Sequence, residues 1–433
     1  MMRISKTYTI ADTDDFRKKL SAYAGQFNCF AFLDSCKNVV YGPVSFDYAL
    51  AAGAHQQLVT NAGDAFEQLR LFRETFKDYC FGFLGYDLKQ ETEQLSSKNF
   101  DGIGWPDMLF FVPEIYVTVK ENTCSIFLLE EQANSFDEIF RQINAATYQP
   151  VPSALAPLQP RIPAERYLQK VKDIIHHITE GDIYELNFCQ EFYTNGTLDA
   201  SAVFDKLCTL SAAPFAVLFK WQHRYLISAS PERFLKKSGN KIISQPIKGT
   251  HKRGQNAVED EQFKKDLYHS IKDRAENVMI VDLVRNDLTK HAITGSIQVE
   301  ELFGIYSFPQ VHQMVSTISA QISEAVKVID VIKDAFPMGS MTGAPKVMAM
   351  QLIEQYEVTK RGLFSGAFGY FTPDNDFDFN VVIRSIQYNA ENQYLSIQTG
   401  GAIVYDSVPE QELAECYLKL KALRTVLYGD ETQ

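Results

Sequence analysis

Apolar residues along the chain alternate between two periods. Helical spacing runs through 16–23, 66–76 and 136–145. It recurs at Tyr167, Val171, Ile174, Ile175 and Ile178, where Gly181-Asp182 closes the helix. Phe263, Leu267, Ile271, Ala275 and Val278 predict one long helix ending before 282–288. Further helices are predicted from Pro345 and over 408–427. Between them, short β-prone runs predict strands at 27–33, 39–44 and 81–86, and two within 115–129 broken at Glu121-Asn122. More follow at 183–194, 234–237, 241–244, 296–302, 312–322, 366–371, 380–387, 394–398 and 402–405. Many strands at hairpin spacing among a few helices predict an α+β fold of large antiparallel sheets flanked by helices. Residues 149–163 hold five prolines and read as an extended linker. They divide an N-terminal α+β region, 1–148, from a region 164–433 that carries most of the motifs.

One stretch combines this pattern with chemistry. The runs 234–237 and 241–244 flank Ser238-Gly239-Asn240, the signature of a hairpin turn. Counting outward brings Glu232 and Lys248 within about two residues of register. A carboxylic acid beside a lysine that can lose its proton is, in outline, an acid and nucleophile pair. A cross-strand surface ion pair has the same local pattern.

At 433 residues the chain is long enough for a large core, and 31 Phe with 21 Tyr argue against disorder. The net charge of −12 argues against nucleic acid or an anionic membrane as partner, though not against a small anionic substrate. No apolar run of about 18 residues occurs, and the N-terminus has no signal-like apolar core, so a cytoplasmic location is expected. The seven cysteines are scattered, with none in C-x-x-C spacing, so neither a disulfide framework nor a structural zinc site is expected.

Four other places could carry chemistry. Asp273 and Glu276, and likewise Glu412 and Glu415, stand three apart on predicted helices, so each pair shares a face. Converging, the two helices would make a site for a hard cation; apart, they are solvated surface pairs. Residues 337–346 are a glycine- and hydroxyl-rich entry to a helix, suited to an anion or simply a loop, and their spacing is not that of a nucleotide-binding P-loop. Gly400-Gly401 offer backbone amides or a bulge. Ser407-Val408-Pro409-Glu410 has capping-box spacing. Lys419 stands one turn beyond Glu415, Arg384 lies in an apolar strand, and His312 is either an acid–base group or a satisfied core imidazole.

Together the motifs resemble the chorismate-utilising enzymes, over about 165–425. The likeness is carried by G-D-I-Y-E-L-N at 181, S-P-E-R-F at 230, P-I-K-G-T at 246 and K-D-R-A-E-N-V-M-I-V-D-L-V-R-N-D-L at 272. F-P-Q-V-H at 308, the 337–346 loop, R-G-L-F-S-G-A-F-G-Y at 361 and G-G-A-I-V-Y-D-S at 400 complete it. Residues 1–148 match more loosely, through L-D-S at 33 and F-G-F-L-G-Y-D at 81. The resemblance implies the anthranilate synthase component I-like fold and a Mg²⁺-dependent chorismate site. It implies Glu276 and Glu415 on the metal, with Glu412 and Asp273 near it through water. Lys419, Arg384 and the Gly400-Gly401 backbone would meet the substrate carboxylates. Gly249, Thr250, Thr342 and Gly343 would lie near the ring, and His312 matches the family's site histidine.

Branches of the family differ in the nucleophile that enters the ring. Anthranilate synthases usually carry Ala where Lys248 stands, whereas the aminodeoxychorismate-forming branch carries P-I-K-G-T, as here. Isochorismate and salicylate synthases place a water-activating Lys in the segment that reads Tyr184-Glu185-Leu186 here, so water is not the expected nucleophile. Glu185 departs from the Gln usual in aminating members, and its role stays open. The implied reaction gives 4-amino-4-deoxychorismate, on the route to p-aminobenzoate and folate. Lys248, deprotonated because desolvation or nearby Mg²⁺ lowers its pKa, attacks C2 of the ring while Glu232 protonates the departing C4 hydroxyl; ammonia then displaces the lysine. No glutaminase segment is evident, so ammonia is expected from a separate glutamine amidotransferase subunit. An anthranilate synthase is the alternative enzyme, and a non-catalytic ligand-binding relative the alternative of another class. Tryptophan binding by the N-terminal region also stays open.

Overall fold

The computed structural model describes residues 2–38, 45–93 and 95–429. The strand expected at 39–44 lies outside them. Helices Thr13–Ala24, Ala65–Thr75, Phe136–Ala145 and Ala164–Glu180 follow the predicted periodicity, and Gly181 ends the last in a left-handed turn. The long helix predicted through 263–278 is instead two, Ala257–His269 and Ile271–Thr289. Ser270 breaks the run and its hydroxyl caps the second helix at the Asp273 N–H. The apolar stripe misled here because Ile271, counted as core, is 87% exposed. The second helix also runs on through 282–288 rather than ending before them.

Two antiparallel sheets make up the body, thirteen- and ten-stranded among the described residues. The pleat sorts their side chains. Phe81 and Phe83 of the Cys80–Leu84 strand, Leu109 and Phe111 of Met108–Val112, and Val217 and Phe219 of Phe215–Trp221 all enter one shared layer between the sheets. The alternate residues, such as Leu84, Phe110 and Leu218, face outward. There the first sheet is covered by helices that include Thr13–Ala24, Ala200–Ser211 and Pro409–Tyr428, and the second by Ala65–Thr75 and Val328–Ala335. The result is the expected α+β arrangement of flanked antiparallel sheets.

Both sheets draw strands from before and after 149–163, and that segment lays Ala154–Leu155 and Gln159–Pro160 against the Glu185–Thr197 strand. The strands expected at 394–398 and 402–405 are one, Tyr394–Ile403, paired with Glu185–Thr197 along its length. The strand expected over 380–387 is broken: Phe377–Val381 and Ser385–Asn389 are separated by Arg384, whose φ is +51°. Among the described residues, no helix is long and apolar enough to cross a membrane.

A buried cation ties the site-bearing strand Glu185–Thr197 to the 339–341 turn and to Glu357, which follows the Lys346–Tyr356 helix. The Arg361 guanidinium donates to Glu357 Oε1 at 2.6 Å and Oε2 at 2.9 Å, to the Met341 carbonyl at 2.7 Å and to the Asn187 carbonyl at 2.8 Å. Glu357 in turn accepts the Cys189 N–H at 2.9 Å. Removing the cation would strand a buried carboxylate and two carbonyls. Arg361→Met is therefore expected to cost about 3–5 kcal/mol of folding stability, measured by guanidinium denaturation.

Candidate functional site

The hairpin forms in the register read from its sequence. Arg233–Ser238 pairs with Lys241–Gln245, with Ser238 opposite Lys241 and Arg233 opposite Gln245. One step further sets Glu232 opposite Pro246, two residues from Lys248. The strand resumes as Ile247–Lys252 against Val311–Gln321 and ends its sheet. From there Lys248 reaches the first residue of the Glu185–Thr197 strand, in the other sheet. Its Nζ donates to Glu185 Oε1 at 2.5 Å, with both side chains buried. The direct partner of Lys248 is thus Glu185 rather than Glu232.

Glu232 sits beside this pair. Its Oε1 accepts the Ser340 hydroxyl at 2.7 Å. Burial pushes its carboxyl up to about 7, against the Ser340 hydrogen bond, the Lys248 charge and the Ile247 N–H. Lys248 departs from expectation. Burial acts to depress its pKa, but Glu185, Glu276 and Glu232 outweigh it and hold the amine above its ordinary range. It rests as an ammonium, not as the free base that desolvation alone would give.

The two acid-bearing helices do converge. Lys272 of Ile271–Thr289 lies 3.9 Å from Glu276 Oε1 on its own helix and 3.9 Å from Glu412 Oε1 on Pro409–Tyr428. Burial raises Glu276 to about 7, countered by Lys248 and Lys272. Burial likewise raises Glu412, against a 2.7 Å hydrogen bond from Ser407. Ser407 is therefore engaged here and caps no helix; the N-cap position is Val408, without a side-chain bond. Burial works to raise Glu415 as well, but Lys419, Lys272 and Lys248 hold it below the usual range. Asp273, at the start of its helix, packs against Gly249: a Cβ there would fall 2.9 Å from Asp273 Cβ, on a backbone at φ +90°.

The remaining candidates spread around this cluster. Gly401 faces the acids, since a Cβ would meet Glu415 Oε1 at 3.0 Å and Glu412 Oε2 at 3.3 Å. Lys419 pairs with Glu415 at 2.6 Å and donates to the Gly400 carbonyl at 2.6 Å. Gly343 lies against the site strand so closely that a Cβ would be 2.1 Å from the Glu185 carbonyl. Thr342 is buried, its hydroxyl turned to the Met338 and Gly339 carbonyls, and Thr250 is exposed. Among the described residues no hydrogen bond or ion pair engages the Arg384 guanidinium; burial acts to lower its pKa and Glu415 opposes this. His312 is fully buried, with Nε2 2.9 Å from Asp260 Oδ1 and Nδ1 2.9 Å from Ser307 Oγ. Both ring nitrogens are spent, so the imidazole is a satisfied group in this structure.

Three participants were not legible as such. Glu185 stood out only as a departure from a pattern. Ser340 lay unmarked in the 337–346 loop. Lys272, four residues before Glu276, carried an i,i+4 signal that was not read.

Among the described residues, the only three-donor group with ligand atoms all within 4.8 Å is Asp34, Cys36 and Cys208, away from this cluster. Glu276, Glu412 and Glu415 are interleaved with Lys272 and Lys419 instead. Their chemistry nevertheless suits a hard divalent cation: oxygen donors from two helices, and a buried Glu412 Oε2 with no hydrogen-bond partner. Glu185 Oε2 is orphaned in the same way. A small cavity of about 20 Å³ adjoins the cluster only through Glu232 and Ser340, and is otherwise walled by groups such as Val284, Leu288 and Met338. A second pocket, about 70 Å³, opens between the sheets and is lined by Leu33, Asp34, Ser35, Arg233 and Tyr370.

The two flanked sheets are a known fold: the structure matches the menaquinone-specific isochorismate synthase of Escherichia coli with a TM-score of 0.79, at 17% identity, covering 98% of this chain and 94% of that one. The chain belongs to the chorismate binding enzyme family, whose model matches residues 28–425. It is 33% identical over 348 residues to aminodeoxychorismate synthase component 1 of Escherichia coli, spanning 80% of this chain and 76% of that protein. It is 31% identical over 352 residues to anthranilate synthase component 1 of Thermus thermophilus, spanning 79% and 76%.

Two outcomes follow from the electrostatics. Glu185→Gln removes the nearest charge that favours the ammonium, so Lys248 is expected to lose its proton at lower pH. Acylation of Lys248 by acetic anhydride, followed by peptide mapping across pH, reads this directly. Glu232 binds its proton more tightly folded than unfolded. Its stabilising contribution is full below the ordinary value of 4.5 and is lost as pH rises through about 7. Glu232→Gln should reduce the fall in stability between about pH 5 and pH 8 by about 2 kcal/mol in urea unfolding.

Proposed function

We propose that this protein aminates chorismate at C4 to give 4-amino-4-deoxychorismate, with ammonia delivered by a separate glutamine amidotransferase subunit. The observation that carries the reading is Lys248, a buried amine of the P-I-K-G-T segment set beside Glu232 and the converging acids. The relative named component 1 of aminodeoxychorismate synthase supports both the product and the existence of a partner subunit.

Mg²⁺, held by Glu276 and Glu415 with Glu412 and Asp273 at hand, would supply positive charge for a substrate carboxylate and compensate the acids that otherwise face Lys248. Arg384 and Lys419 offer cationic contacts to the substrate, alongside the Gly400-Gly401 backbone. Gly249, Thr250, Thr342 and Gly343 border the ring. Lys248 passes its proton to Glu185, its hydrogen-bond partner, and its free amine attacks C2. The ring double bonds shift and the C4–O bond breaks. Glu232 carries a proton through much of the neutral range and gives it to the leaving hydroxyl, which departs as water. Ammonia then bonds to C4, the double bonds shift back and the C2–N bond to Lys248 breaks. His312 holds the strand bearing this chemistry through Asp260 and Ser307.

Anthranilate formation is the second reading, favoured by the Thermus thermophilus relative. Incubation with chorismate, ammonium and Mg²⁺ separates the two. The expected product is aminodeoxychorismate, converted to p-aminobenzoate only on adding a lyase; anthranilate with pyruvate would overturn the assignment. Lys248→Ala should abolish amination and the covalent adduct on Lys248 seen by mass spectrometry in the parent enzyme. Full amination by that variant would remove the nucleophile role.

A further inference from the structure

Cys36 and Cys208 take no part in the site described above. Cys36 occupies the turn after the Cys29–Asp34 strand, at φ +50°, and Cys208 belongs to the Ala200–Ser211 helix. Their two sulfurs and an Asp34 carboxylate oxygen all lie within 4.8 Å of one another. The trio has the donors of a metal site, but Asp34 is already committed. Its Oδ1 accepts the Cys36 N–H at 2.7 Å, and its Oδ2 accepts the Arg17 guanidinium, which also bonds Asp205 at 2.8 Å. A fixed cation on the carboxylate repels a second, divalent one. What remains is a pair of adjacent thiols. Cys36 is partly exposed, whereas the other six cysteines, Cys208 among them, are buried.

We propose that Cys36 and Cys208 form a dithiol that a peroxide oxidises to a disulfide. The Cys36 thiolate attacks one peroxide oxygen; the O–O bond breaks, one water leaves and Cys36 becomes a sulfenic acid. The Cys208 sulfur then attacks the Cys36 sulfur, the S–O bond breaks, and a second water leaves as the S–S bond forms. Two thiols and one peroxide thus give one disulfide and two waters, the sulfurs losing the two electrons that the peroxide gains. Cys208 and burial hold the Cys36 thiol above its ordinary range, with Arg17 opposing, so little thiolate is present and attack on peroxide is slow unless peroxide is abundant. The new bond pins the 34–38 turn to the Ala200–Ser211 helix. Leu33, Asp34, Ser35 and Asn38 line the pocket between the sheets, so oxidation fixes one of its walls.

Native protein treated with hydrogen peroxide, alkylated without reductant and digested, is expected to yield a Cys36–Cys208 linked peptide that dithiothreitol removes. Cys208→Ser should instead leave Cys36 as a sulfenic acid trapped by dimedone. Absence of the linked peptide from the wild-type map, with both cysteines recovered alkylated or over-oxidised, would overturn the proposal. So would equal linkage of Cys36 to another cysteine in Cys208→Ser.

Discussion

The buried contact between Lys248 and Glu185 joins the two sheets where each presents its chemistry. Lys248 stands on the terminal strand of one sheet, and Glu185 begins a strand near the end of the other. Neither charge is affordable alone at such burial; each is tolerated because the other is present. The same geometry fixes where the rest must go. Gly343 has to be glycine because its backbone lies against the Glu185 carbonyl, and Arg361 has to bridge Asn187 to Met341 so that the 339–341 turn brings Ser340 to Glu232. A surface ion pair of the kind its local sequence pattern allowed would impose none of this.

The site keeps its charge balanced locally, in a chain whose net charge is −12. Five carboxylates, Glu185, Glu232, Glu276, Glu412 and Glu415, share a small volume with Lys248, Lys272 and Lys419. Burial penalises every charged form, and the outcome for each group depends on which opposite charges it meets. Glu232 and Glu276 are pushed up because the nearby lysines only partly compensate them, while Glu415, paired directly with Lys419, is pulled down. This division separates a carboxylic acid able to donate a proton from a carboxylate able to hold a cation, using one residue type.

Much of this was legible from the chain. A period of two located most of the strands, a period near 3.6 most of the helices, and the Gly239-Asn240 turn fixed a register that placed Glu232 and Lys248 near each other before any coordinates. The failures have physical causes. The helix through 263–278 was drawn too long because Ile271 fits an apolar stripe yet points to solvent, and Ser270 is a cap whose signal lay inside the stripe. The strands over 380–387 and 394–405 were misjudged because Arg384 breaks a run that looks continuous, while Gly400-Gly401 continue one that looks broken. Convergence of the two acid helices was invisible, since it depends on a packing of segments more than a hundred residues apart. The partner of Lys248 was hidden for the same reason: Glu185 is 63 residues away in sequence and in the other sheet.

That partner alters how the lysine has to be understood. Burial alone would lower the pKa of an amine and make it nucleophilic at rest, and a site built that way would need nothing else to activate it. Here three carboxylates overrule burial, so the resting amine is charged and inert. Neutralising those carboxylates or turning them to other partners would let burial lower the pKa of the amine again. Glu276 faces both Lys248 and the acids of the opposing helix, so a cation drawn to Glu276 weakens one of the three charges that keep Lys248 protonated. An amine restrained in this way stays protonated while its three carboxylates are charged, and the orphaned Glu185 Oε2 leaves an unused acceptor beside it.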